Sequence, residues 1–565
     1  MSASITQLRV GDESFLVTSM IERCPKVMML RELVRNAIEA AATEPATSHS
    51  EGRQVRFSEV PIDGVPKLAI WNNGRGMNAE ELFRMCDIAS SIRKEHRLDQ
   101  NFGMGAKVAS LPSNRHGLRY RSCHDGVVHE VMLGYRDGSY GRLHQADANG
   151  NVDDVIEASA ASLAEGRDTG ADWTEVVLFG NSPDQNTAQN PYNGMPGMPP
   201  HWLSEELAYR FFRIRDDVEL RLEHQDLAFI PLVERVVRDG GRHSTVALPD
   251  GTLLHYVHDA LEHHADAPYP RHGACGLVYK DELYNVHRWH DWLHVAPIFG
   301  VPFGARSISV FIELPDDTQV VPDGYRQFLR YAGNRQDEVS CRHFAASVHR
   351  MRPEWLIELV SEQAPSFRMS ARVYQDLDRL LLELKVPRRS RAPSVMRSVA
   401  DAAGEPGAAQ TTPLHELLEF HASFDVEPSP EILILRQEHE ILARGIRERA
   451  GRYYPETHQL FLNGLYSAVS EMRDLLLAEY AWVPDQDGVR RQALMLSEQA
   501  MAARVGRMLV FGLAKQGKWH EHDVAQSYSV QALSLAADDL AQSLPAARVE
   551  MQAMLDAHSA SSESR

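Results

Sequence analysis

Long apolar runs are missing from this sequence, cysteine is scarce, and positive charge is outweighed by negative. Each shortage excludes something. Without an uncharged apolar stretch of about 20 residues there is no candidate for a membrane-spanning helix. The five cysteines, Cys24, Cys86, Cys123, Cys275 and Cys341, form no close pair. Neither a disulfide framework nor a zinc-site spacing can be read from them, and reduced thiols of a cytosolic protein are the expectation. The formal charge of −19 disfavours a broad, non-specific coat of nucleic acid and leaves room only for a local basic patch. The first residues lack the basic-then-apolar pattern of a secretory signal, so the expected location is the cytoplasm, with no membrane partner. No internal repeat is visible. What remains is ordinary in composition, 43 % apolar and 24 % charged. At 565 residues it is too long for one core and predicts three or so domains.

Three short blocks stand out between Arg31 and Lys107. The first, Glu32-Leu-Val-Arg-Asn36-Ala-Ile-Glu-Ala40, is a helical run that sets an acid and an amide four apart, hence on one face. Asn36 offers a neutral oxygen to a hard cation such as Mg²⁺, and Glu32 can act as a base toward an attacking water. The second, Asn72-Asn-Gly74-Arg-Gly76-Met77, follows the apolar strand 67–71. Its glycines are expected to let a flat ring approach the backbone. The third, Asn101-Phe102-Gly103-Met104-Gly105-Ala106-Lys107, is a glycine-rich turn opening into a helix, whose free N–H groups suit phosphate oxygens. Read singly, each is an amphipathic helix or an ordinary turn; read together they form a nucleotide site.

The three blocks resemble the ATP-binding domain shared by gyrase, the heat-shock chaperone, histidine kinases and MutL, the GHKL superfamily. The third block is closest to the MORC-type branch and its bacterial relatives. The resemblance implies ATP and Mg²⁺ as ligands, with Glu32 as catalytic base and Asn36 as metal ligand. It also implies nucleotide contacts from Asn72, Gly74, Gly76, Met77, residues 101–107 and Thr174, with Lys107 counted among the catalytic groups. One position departs from the pattern: where the family carries an adenine-binding Asp, this chain has Asn72. An Asn keeps one acceptor and adds a two-proton donor, so reduced ATP affinity and an altered base choice both stay open. Farther along, Val321-Pro322-Asp-Gly-Tyr-Arg326-Gln327-Phe328 follows an apolar strand. By resemblance Arg326 reaches the γ-phosphate from a second, transducer domain, with Arg330 as the alternative.

The expected fold class is α/β. A GHKL-type α/β sandwich over 1–180 precedes a transducer-like α/β domain over 201–384. A basic Pro/Gly linker follows at 385–412, then a helical C-terminal bundle over 413–565, with long amphipathic helices at 431–450 and 492–515. The polar, basic run 89–97 is expected to be a lid over the nucleotide. Asn78 starts a capped helix, and 126–133, 173–179 and 307–314 read as strands. Two histidine groups, His255, His258, His263 and His264, then His287, His290 and His294, have helical ligand-pair spacings. No Cys or carboxylate completes a set, and they read as solvated or core residues.

In function this predicts an ATP-driven dimerising clamp, a slow Mg-dependent ATPase acting on a protein partner through the helical region, with DNA a weak partner at most. Bacterial relatives of the MORC type often serve in defence against phage or mobile DNA. A histidine kinase would need a phospho-acceptor helix pair before the first block, and a topoisomerase would need a cleavage tyrosine with a metal-binding acidic domain. Neither is seen. The rival is a nucleotide sensor or scaffold that does not hydrolyse.

Overall fold

The computed structural model describes residues 11–43, 52–88, 105–147, 150–194, 198–222, 227–259, 272–323, 328–333, 337–363, 371–386, 427–516 and 518–563. The chain divides into two compact units, Met1–Trp292 with Ala305–Leu356, and Leu293–Gly304 with Ile357–Arg565.

In the first unit, α1 (Glu13–Glu22) begins where the Asp12 carboxylate accepts the Phe15 N–H at 2.9 Å. Helix α2 (Met28–Thr43) follows and contains the helical run expected from Glu32 to Ala40. Its apolar residues Leu30, Leu33, Val34, Ala37, Ile38 and Ala41 recur three and four apart and are all buried. Strands β1 (Arg53–Ile62) and β2 (Val65–Asn72) form a hairpin through Asp63 and Gly64, both at positive φ (49° and 78°). Asp-Gly is the residue pair that such a two-residue turn favours. Next come α3 (Ala79–Met85), α4 (Gly105–Ser110), β3 (Gly117–His124), β4 (Val127–Arg136) and β5 (Ser139–Leu143). The start of α3 carries the predicted cap: Asn78 accepts from the Glu81 N–H at 2.9 Å, and the Glu81 carboxylate accepts from the Asn78 N–H at 3.3 Å.

The first sheet runs 227–228, 218–222, β1, β2, 173–180, β3, β4, β5, with 155–157 also on β4. Only 218–222 against β1 is a parallel pair. The sheet thus extends past residue 180, where the sequence reading placed a domain end. Alternate residues of four neighbouring strands, Phe57, Ile70, Val176 and Tyr120 among them, share one core with α2. That face carries the candidate site.

A second sheet in the same unit runs Arg242–Ala247, Leu253–His258, Ile308–Glu313, Ala274–Tyr279, Glu282–Arg288. Its last two strands, Ala274–Tyr279 and Glu282–Arg288, form a hairpin. It turns on Lys280 and Asp281, both at positive φ (50° and 65°) without a glycine. A two-stranded ribbon pairs Val320–Pro322 with Leu329–Tyr331.

The second unit corrects one expectation. Residues 431–450 are not a long helix: Glu431–Leu435 is a strand and only Glu438–Ala443 is helical. The strand pairs in parallel with Gln459–Asn463, itself antiparallel to Gly451–Tyr454. Periodicity cannot separate a short Ile/Leu run from a buried helical turn, and only partner strands decide it. Elsewhere the unit is helical, as expected. The 28-residue helix Gln486–Leu513 covers all but the end of the predicted 492–515. Its Met501, Val505 and Leu509 share one core with Ile432, Ile434 and Leu460 of the small sheet and with Leu377 and Leu381 of Ala371–Glu383. The segment 387–426, which includes all of the basic linker but its first two residues, lies outside the described residues.

Candidate functional site

Helix α2 is where the sequence blocks meet. Glu32 is 7 % exposed, and its Oε1 accepts from Arg31 Nη1 at 3.2 Å. Its other oxygen lies over Gly105, where a methyl group would come within 2.0 Å of it. The first and third blocks are therefore in contact. A methyl on Gly74 would fall 2.3 Å from the Ala40 carbonyl oxygen, so the second block touches the last turns of α2. A methyl on Gly76 would fall 1.6 Å from the Cys123 carbonyl oxygen on β3. The fold thereby adds a second reason for the two glycines. Close backbone approach to α2 and β3 requires them, whatever a ligand requires.

Asn72 ends β2 beside Thr174, which in turn pairs with Ser122 of β3. The three lie across neighbouring strands on the core-facing side. Asn72 Nδ2 donates to the Thr174 carbonyl at 3.3 Å, and its Oδ1 accepts from the Gly74 N–H at 3.1 Å. The Thr174 and Ser122 hydroxyls lie 2.8 Å apart, and Ser122 also accepts from the Met77 N–H at 2.8 Å. Ser122 had no signal in the sequence; strand register alone brings it here. Asn36 is exposed, one turn after Glu32, and its side chain makes no hydrogen bond among the described residues. Ala106 packs partly buried against the core.

Lys107 is turned to another task. Its ammonium is buried and donates to the carbonyl oxygens of Met85 and Asp87, the latter at 2.6 Å, closing the C-terminal end of α3. Burial pulls its pKa down to about 8. Asn101, Phe102, Gly103 and Met104 lie outside the described residues, as do the lid run 89–97 and Arg326. Arg330 is on the ribbon strand opposite Val321. Burial first, then the nearby charges of Glu32 and Asp323, push the Cys24 thiol up to about 12.

No protein-family model matches the chain, and no curated protein matches it.

Beside Ser122, a buried charge cluster at the site carries no sequence signal. Arg31, fully buried, donates through Nε to Glu282 and through Nη2 to the Tyr284 hydroxyl at 2.6 Å. Arg35 Nη1 reaches the other Glu282 oxygen at 2.6 Å. Glu282 is the first residue after the Lys280–Asp281 turn. Arg31 and Glu282 are 251 residues apart in sequence, so nothing in the first block could point to it. Of the histidines weighed as ligands, His255 Nε2 lies 2.8 Å from Glu313, and His263 and His264 fall outside the described residues. His124, Asp125 and Asp172 cluster at the β3–β4 turn. There Asp172 accepts from the Asp125 N–H at 3.0 Å and pairs with His124 at 2.8 Å, which accounts for the cluster without an ion.

Proposed function

We propose that this chain binds Mg-ATP on the face of the first sheet covered by α2, hydrolyses it slowly and uses the cycle as a conformational switch. The observation that supports this best is the convergence on one helix: Glu32 against Gly105, Ala40 against Gly74, and the row Asn72, Thr174 and Ser122 at the adjoining strand ends. In this reading Glu32 takes the proton of a water whose oxygen attacks the γ-phosphorus, while the bridging oxygen leaves with the bonding pair. Its Oε2 has no hydrogen-bond partner among the described residues and is available for that water. The adenine end falls to the Asn72 row. Asn36 fits a divalent cation, since its exposed amide oxygen is neutral and unpartnered among the described residues. The cation would neutralise phosphate charge. Two chains pair in the ATP state, and the helical second unit passes the change to a partner protein.

A second reading, binding without turnover, is favoured by one observation: both polar atoms of the Asn72 amide already have partners within the chain. Turnover by purified protein separates the two. Glu32→Ala should abolish hydrolysis while ATP affinity stays within about threefold, the pattern of a group needed only in the transition state. It should also accumulate the ATP-bound dimer in light scattering. Near-wild-type turnover would remove Glu32 from the mechanism.

A further inference from the structure

The second sheet reaches into the candidate site through one buried acid. Arg31 contacts Glu282 and Tyr284, which stand on the strand Glu282–Arg288 of that sheet, and also Glu32 on its own helix. The guanidinium also lies over the Tyr284 ring, its central carbon 5.1 Å from the centroid. The Glu282 end is fixed independently. The Leu283 N–H bonds to the Arg210 carbonyl at 2.8 Å, and Phe211 bridges to Glu282 itself. Arg31 therefore sits between two carboxylates, one belonging to the candidate base and one to a different sheet.

We propose that Glu282 is a positioning residue for the ATPase site: it holds the Arg31 guanidinium back from Glu32, so that the second sheet controls whether Glu32 can act as a base. This rests on the reading of Glu32 given above. A buried guanidinium cannot be left without a counter-charge. While Glu282 is in place, Arg31 gives Glu32 a single contact at 3.2 Å and leaves the second oxygen open. If Glu282 withdraws with its hairpin, Glu32 remains as a carboxylate already in hydrogen-bond contact with Arg31, and a two-pronged pair would close both its oxygens. Arg35 turns the same way, because it shares Glu282 while its other partner is Glu39. A shift of the second sheet relative to α2 is thereby converted into an on or off state of the base, with no ligand contact from Glu282.

The test compares four full-length proteins by ATP turnover and by equilibrium ATP titration. Glu282→Gln should lower kcat at least tenfold with ATP Kd within about threefold. Tyr284→Phe, which removes one hydroxyl and keeps the ring, should lower kcat several-fold and fold normally. The decisive protein is Glu282→Gln combined with Arg31→Met. Taking away the guanidinium as well should free Glu32 and raise turnover above that of Glu282→Gln alone, which a merely structural ion pair would not do. Wild-type turnover in both single variants overturns the proposal, as does a double variant no faster than Glu282→Gln. If Glu282→Gln does not fold, unchanged turnover in Tyr284→Phe is sufficient to overturn it. A wild type no faster than Glu32→Ala overturns the ATPase reading itself, and this inference with it.

Discussion

Replacing Asn72 by Asp should change stability and nucleotide affinity in opposite directions. In the free chain the Asn72 amide donates to the Thr174 carbonyl at 3.3 Å and accepts from the Gly74 N–H at 3.1 Å, with 4 % of the residue exposed. Asp keeps the acceptor and loses the donor. A carboxylate oxygen then faces a carbonyl oxygen with no proton between them, where water hardly enters. Leaving such a buried bond unmade costs about 1–3 kcal/mol. The gain appears only with ligand. A charged acceptor should strengthen a bond from an adenine amino group by about 1 kcal/mol, roughly fivefold in Kd. Chemical denaturation followed by tryptophan fluorescence reads the first effect, since Trp71 and Trp173 adjoin the two residues in the chain. Titrations with ATP and GTP read the second. Asn72→Asp should unfold at lower denaturant without nucleotide, bind ATP more tightly than wild type, and prefer ATP over GTP as wild type does. An Asp variant as stable as wild type would mean that the Thr174 bond contributes nothing. A wild type that prefers GTP, or binds neither nucleotide, would refute the ATP assignment.

Three further substitutions have direct readouts. Gly76→Ala places a methyl group where the Cys123 carbonyl already stands, so β3 or the second block must move, at a cost of about 3 kcal/mol. Gly141→Ala, with open space around it, should stay within about 0.5 kcal/mol, and equal melting points for the two would refute the contact. In the second sheet, the hydrogen bond from Arg213 holds the Glu313 carboxyl down at about 2, with burial opposing and His255 adding. A carboxyl depressed on folding lends stability above its ordinary value of 4.5, and that stability is lost as pH falls toward 2. Wild type should therefore lose more stability than Glu313→Gln between pH 5 and 2 in acid titrations followed by circular dichroism; parallel curves would exclude the pair as a contributor.

Local chemistry was legible in the sequence because it depends on neighbours in the chain. The 3–4 spacing of α2, the Asp63-Gly64 hairpin, the Asn78–Glu81 cap and the strands around 173–180 and 308–313 follow from residues at most a few positions apart. So did the three blocks that converge on α2. What the sequence could not determine depends on which distant segments meet. Lys107 is expected among the catalytic and nucleotide-contacting groups, and only the fold shows its ammonium held by the carbonyls that end α3. Gly74 and Gly76 suit a ligand's approach by sequence, but only the fold shows that the backbones of α2 and β3 also demand them. The Ile/Leu run at 432–435 gave no sign of being a strand until Gln459–Asn463 paired with it. Arg31 is the clearest case. Its place in the sequence, one residue before Glu32, sets it beside the candidate base, but only the second sheet supplies the carboxylate that holds it there. Chain neighbours fix helix faces and turns, whereas the partner of a buried charge is decided by packing.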